Sequence, residues 1–192
     1  MALSHTKIKL EVREIVLKDR PSSLYDISPK GTVPVLQLLN KDVIDESLDI
    51  MIWCLKNSNS DWINFKLDDQ LLIINQNDNQ FKYWLDRYKY FDRYPDNNQR
   101  YYQIECEKFL NQYEGSLNRT EYLIDNKLRL VDVALFPFIR QYANVDQADF
   151  KKKFIELNIW LEKIIESDLF ISVMNKYPVW SKDNGIITDF RI

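Results

Sequence analysis

Three groups of residues have the types and spacing for chemistry. Asp45-Glu46-Ser47 is an acidic–hydroxyl step where a strand pattern gives way to a helix pattern. A helix N-terminus leaves N–H groups unpaired and carries the positive end of the helix dipole. A hydroxyl and N–H groups there could hold a ligand carboxylate, and Glu46 could pair with an ammonium. The second group is Val33-Pro34-Val35, an apolar run broken by a proline. Proline donates no hydrogen bond, so the ladder is incomplete. The residue before it then has backbone free to bind something other than its own sheet. The plain readings are an edge-strand proline and an ordinary helix cap. The third group is Cys54 and Cys106, far apart inside helix patterns. They read as buried, reduced thiols of a cytoplasmic protein. His5 is the sole histidine and reads as a solvent-facing residue at a helix end. No residue is assigned a catalytic role, and none is assigned as a metal ligand.

The elements that position these groups follow from periodicity. Residues 1–4 resemble the end of an amphipathic helix. Ile8, Leu10, Val12, Ile15 and Leu17 predict a strand of about eight residues. Pro21 predicts a helix start of the first-turn type and a short turn to Ile27. Residues 28–31 are a loop. Residues 33–39 and 43–44 are two strands, and the turn at 40–42 makes them a hairpin. Ser47 is the predicted N-cap of a helix over 48–56. The polar stretch 57–61 is a linker. Beyond it the pattern is helical: 68–75, 78–94, 100–113 ending near Gly115, 130–142 with Pro137 inside, 154–165 and 168–176. The basic run 151–153 reads as a solvated helix start.

Composition agrees. A chain of 192 residues with 45% hydrophobic and 29% charged residues has room for a core. Three glycines argue for helices over a loop-rich β fold, and aromatics cluster after Trp62. A net charge of −3 gives no reason to expect nucleic acid or an anionic membrane, and no apolar run is long enough to span a bilayer. The expected layout is an α/β unit over residues 1–57 and an all-helical unit over residues 62–192.

ISPKGTVPVL at 27–36 followed by IDES at 44–47 resembles the binding signature of the glutathione S-transferase family. LVDVALFPFIRQYA at 130–143 is similar to the core helix of that family's C-terminal domain. LDRYKYFDRYP at 85–95 and DLFISVMNKYPVW at 168–180 resemble a bacterial subgroup with cysteine-type, omega- or beta-like members. The fold implied is a thioredoxin-like domain followed by an all-helical domain. The resemblance implies that the bond to Pro34 is cis and that Val33 offers its N–H and C=O to the cysteinyl part of glutathione, like an added strand. It implies that Glu46 and Ser47 hold the γ-glutamyl end. Arg20 stands where relatives carry a basic residue that reaches the glycyl carboxylate. Asp132 matches a structural capping residue of the core helix, with Arg129 in place of the usual Ser or Thr partner.

One departure matters. The family's first strand, and the Cys-Pro pair that starts its first helix, would fall roughly two helical turns before Met1. The chain reads as truncated at its N-terminus, and the catalytic cysteine is absent from it. Without that strand, the strand after Ile8 and the strand after Val33 lose their common neighbour. The implied function is glutathione conjugation or glutathione-dependent thiol reduction. Glutathione is the co-substrate, a small electrophile or disulfide is the second substrate, and no metal takes part. The second substrate's site would lie between the domains, with Tyr88, Tyr90 or Tyr94 as candidate lining. The safer reading of the same rings is core packing and the dimer interface. Relatives form homodimers. The alternative is a non-catalytic binding or assembly protein on the same scaffold.

Overall fold

A computed structural model of the chain describes residues 1–181 and 186–188. Residues 182–185 and 189–192, which fall within the expected 62–192 unit, lie outside the described residues. The chain divides into two compact units. One contains Met1–Ser60 together with Asp168–Ile192, and the other is Asp61–Ser167.

The first unit contains α1 (Ala2–His5), β1 (Leu10–Val12), α2 (Ser22–Ile27), β2 (Leu36–Gln37), β3 (Val43–Ile44), α3 (Ser47–Asn57), α10 (Asp168–Val173) and β4 (Ile186–Thr188). Its strands form two separate two-stranded sheets, β1 with β4 and β2 with β3. The β2–β3 hairpin is antiparallel, with Leu36 opposite Ile44. Its turn needs Lys41 at φ 72°, and Asn40 Nδ2 donates to Asp42 Oδ2 at 2.7 Å. The strand after Ile8 is three residues long and not about eight. It pairs antiparallel with β4, Leu10 opposite Thr188. Just beyond, Glu14 bridges Val179, whose neighbour Trp180 donates its N–H to the Glu14 carbonyl at 2.8 Å. No residue of β1, β2 or β3 is fully buried. Two-stranded pieces lack neighbours to cover both faces, so the apolar burial of this unit rests on Ala2, Leu24, Ile50, Cys54, Leu55 and Phe170.

The second unit is helical: α4 (Leu67–Gln76), α5 (Lys82–Lys89), α6 (Gln99–Leu117), α7 (Leu130–Ala143), α8 (Gln147–Lys153) and α9 (Ile155–Ile165). The break expected between residues 75 and 78 does not occur. A π-helical turn over Asn77–Phe81 carries α4 into α5. The helix expected to reach Tyr94 stops at Lys89 and is followed by a short 3-10 turn, Phe91–Arg93. Gly115 is inside α6 and not at its end, because the buried stripe Tyr102, Cys106, Phe109, Leu110, Tyr113 continues to Leu117. The basic run 151–153 ends α8; it does not start a helix. Cations there meet the negative end of the helix dipole.

α7 is the centre of this unit, with ten of its fourteen residues buried. Its N-terminus is fixed by side chains from elsewhere. Gln70, fully buried, accepts the Val131 N–H at 3.1 Å through Oε1. The same amide donates to the carbonyls of Trp62 at 3.0 Å and Phe65 at 2.7 Å. Asp132 Oδ2 accepts the Arg129 N–H at 2.9 Å, and Oδ1 accepts the Leu123 N–H at 2.9 Å. Arg129 has no acceptor atom to return the cap. Its guanidinium instead pairs with Asp125 at 2.6 Å and donates to the Asp61 carbonyl.

Candidate functional site

Three of the sequence-predicted residues, Val33, Glu46 and Ser47, flank the β2–β3 hairpin. Val33 and Pro34 precede β2, and Glu46 and Ser47 follow β3, the two strands pairing with Leu36 opposite Ile44. The Val33–Pro34 peptide is cis. Val33 is half exposed, and its N–H and C=O make no backbone hydrogen bond among the described residues. The strand expected over 33–39 is only Leu36–Gln37, so Val33 lies in the segment before it, where free donor and acceptor groups can pair with an extended ligand backbone.

Beside it, α3 begins one residue earlier than the sequence indicates. Glu46 is the N-cap residue and Ser47 the first helical residue, and no side chain caps the helix by a hydrogen bond. The first intrahelical bond runs from the Ile50 N–H to the Glu46 carbonyl at 3.0 Å. The N–H groups at the start of the helix therefore stay available, with the positive end of the dipole behind them. Both Glu46 and Ser47 are exposed.

The loop of residues 28–31 is tied to this corner. Ser28 is buried, and its hydroxyl donates to Asp45 Oδ2 at 3.2 Å. Lys30 Nζ is 2.7 Å from Glu46 Oε1 and 3.3 Å from Asp45 Oδ2. The Glu46 carboxylate, followed by that of Asp45, holds the Lys30 ammonium above its ordinary value. Gly31 sits at φ +61°, and a Cβ there would come within 2.4 Å of the Tyr25 ring. Glycine is needed both for that backbone angle and for the close approach. Sequence reasoning passed over Ser28 and Lys30, although both lie inside the quoted motif. Their partners are 16 or 17 residues further along, and nothing local marks that pairing.

Arg20 is exposed just before α2, and no hydrogen bond or ion pair joins it to Val33, Glu46 or Ser47 among the described residues. Asp132 belongs to the second unit and caps α7, with Trp160 Nε1 also donating to it at 3.0 Å. Tyr88 is buried against Tyr142, ring centroids 5.0 Å apart, and burial pushes its hydroxyl up to about 12. Tyr94 donates to Asp86, and Tyr90 lies under the cations of Lys89 and Arg93. Cys54 and Cys106 have no exposed surface, and burial pushes both thiols up, away from the thiolate form. The second unit holds an open groove of about 330 Å³ walled by Leu117, Arg119, Ile159, Trp160 and Lys163, and none of the sequence-predicted site residues lines it. No helix among the described residues is long and apolar enough to cross a membrane.

Residues 1–56 match the family model for the N-terminal domain of glutathione S-transferases, and residues 82–168 match the model for the C-terminal domain. The chain belongs to the glutathione S-transferase family. Solved structures agree on the fold. The glutathione transferase URE2P6 from Phanerochaete chrysosporium, in complex with oxidized glutathione, superposes with a TM-score of 0.76 at 17% identity, covering 90% of this chain and 86% of that one. BphK, a bacterial glutathione S-transferase in a ternary complex, gives 0.74 at 16% identity over 90% of each chain. A family member from Pseudomonas fluorescens with two glutathione bound gives 0.74 at 14% identity, covering 88% of this chain and 83% of that one. No curated protein sequence matches the chain.

Proposed function

We propose that this glutathione S-transferase binds glutathione along residues 33–47 and serves glutathione conjugation or glutathione-dependent thiol reduction. The observation that carries the reading is the free backbone of Val33 just before β2 together with the uncapped start of α3 just after β3. On this reading Val33 pairs with the cysteinyl backbone of glutathione. Ser47 and the helix-start N–H groups take the γ-glutamyl carboxylate, Glu46 takes its ammonium, and Arg20 meets the glycyl carboxylate.

The ligand's own sulfur is then the nucleophile. In conjugation the glutathione thiolate forms a carbon–sulfur bond to an electrophilic carbon. The leaving group departs with the bonding electron pair, and the thiol proton goes to solvent. In reduction the thiolate attacks one sulfur of a disulfide, forming a new S–S bond while the other sulfur leaves as a thiolate. On this reading the protein groups with the bacterial cysteine-type members that the motifs at 85–95 and 168–180 resemble. The reading carries with it a cytoplasmic location and a homodimer.

Calorimetric titration with glutathione tests the binding. Wild type should bind, and Glu46→Gln should lose about tenfold in affinity, the scale of one charge-assisted contact. Absence of binding by the wild type overturns the reading. A turnover assay with a chloronitrobenzene electrophile and with a mixed disulfide separates the two chemistries.

One observation favours a second reading, a non-catalytic binding protein on the same scaffold. Both cysteines are buried and held in the thiol form, so neither supplies a protein nucleophile. Glutathione binding with no turnover of either substrate would select it.

A further inference from the structure

We propose that Lys30 is an internal stand-in for the ligand's ammonium, a latch on Glu46 that glutathione must displace. The inference rests on the glutathione reading of this corner. Asp45 and Glu46 are adjacent carboxylates, and a cation beside them offsets their like-charge repulsion. The chain provides one. Lys30 Nζ reaches Glu46 at 2.7 Å and Asp45 at 3.3 Å. The lysine is held in place by its loop. Ser28 is buried on Asp45, the Gly31 N–H returns to the Ser28 carbonyl at 2.9 Å, and Gly31 is pressed against Tyr25.

An ammonium on Glu46 is what the γ-glutamyl end of glutathione would itself bring. The free protein therefore already satisfies the carboxylate, and the ligand exchanges for a partner that is present. The exchange is easy, because the Lys30 and Glu46 side chains are 54% and 64% exposed and their pair is screened by solvent. Asp45 stays within reach of the displaced lysine, so the charge is not stranded. A ligand with a carboxylate but no ammonium does not compete with Lys30 and gains nothing at Glu46. Selection for an α-amino acid end thus comes from Glu46, and Lys30 is a competitor that moderates it.

The test is calorimetric titration of wild type, Lys30→Met, Lys30→Arg and Glu46→Gln with two probes: glutathione and its analogue lacking the α-amino group. Removing the competing cation should tighten glutathione binding by about two- to fivefold in Lys30→Met, the scale of an exposed ion pair. Lys30→Arg should stay near wild type, and the deaminated analogue should bind wild type and Lys30→Met alike. Added salt should narrow the gap between them. Glutathione binding that is unchanged or weaker in Lys30→Met, with Glu46→Gln still impaired, overturns the latch and leaves the glutathione reading standing. Failure of every variant and of wild type to bind glutathione overturns the reading, and the latch with it.

Discussion

The indole Nε1 of Trp160 donates to Asp132 Oδ1 at 3.0 Å, joining α9 to the start of α7 inside the helical unit. The same carboxylate accepts the N–H groups of Leu123 and Arg129. Three buried donors therefore depend on one fully buried acid. Asp132→Ala should cost about 3 kcal/mol or more, since it leaves all three unpaired in a dry site. A urea titration of the two proteins measures it, and a loss under 1 kcal/mol would contradict the capping account.

Asp132 also predicts a pH dependence. Burial lifts its carboxyl to about 6 from 3.8, against the pull of its three donors. The folded value is above the unfolded one, so the native state keeps a proton that the unfolded chain releases. The associated stability is fully present below the unfolded value and is lost as pH rises through about 6. The stability gap between wild type and Asp132→Asn should therefore widen as pH falls from 7 to 5. Melting temperatures across that range decide it.

Gly31 and Gly115 should respond in opposite directions to alanine. Gly31 is at φ +61° against the Tyr25 ring, so Gly31→Ala should destabilise by about 1 kcal/mol or more. Adding Tyr25→Ala should relieve the clash but not the backbone cost. Gly115 lies inside α6 with nothing within 4 Å of a Cβ, so Gly115→Ala should stabilise by about 0.5–1 kcal/mol. Thermal melts of the three variants check both signs.

Cys54 and Cys106 should be silent to a thiol reagent in the native protein and should both react in denaturant. Neither has exposed surface, and burial disfavours both thiolates. Fast reaction of either one under native conditions would reopen the question of a protein nucleophile.

The helices of the second unit were legible in the sequence because a helix is a local structure. The stripes of α6, α7 and α9 repeat within a turn or two, and the chain writes them out residue by residue. The hairpin was legible as well, since its turn chemistry lies between its strands. Element ends were less so. The polar run at 75–78 looks like a break, yet a π turn carries the helix through it. Gly115 looks like a stop, yet the buried stripe continues beyond it.

The sequence by itself determined the family, the two-part composition and the hairpin that Val33, Glu46 and Ser47 flank. Only the tertiary structure decided what each of those groups faces. Strand length depends on the partner, so β1 ends after three residues and pairs with β4 from the far end of the chain. No local pattern encodes that pairing. The same holds for Lys30, which reads as a loop charge in the sequence and in the fold meets the Glu46 carboxylate. Side-chain chemistry is local to a residue, but electrostatic and hydrogen-bond partners are chosen by distance in space, and that distance exists only once the chain has folded.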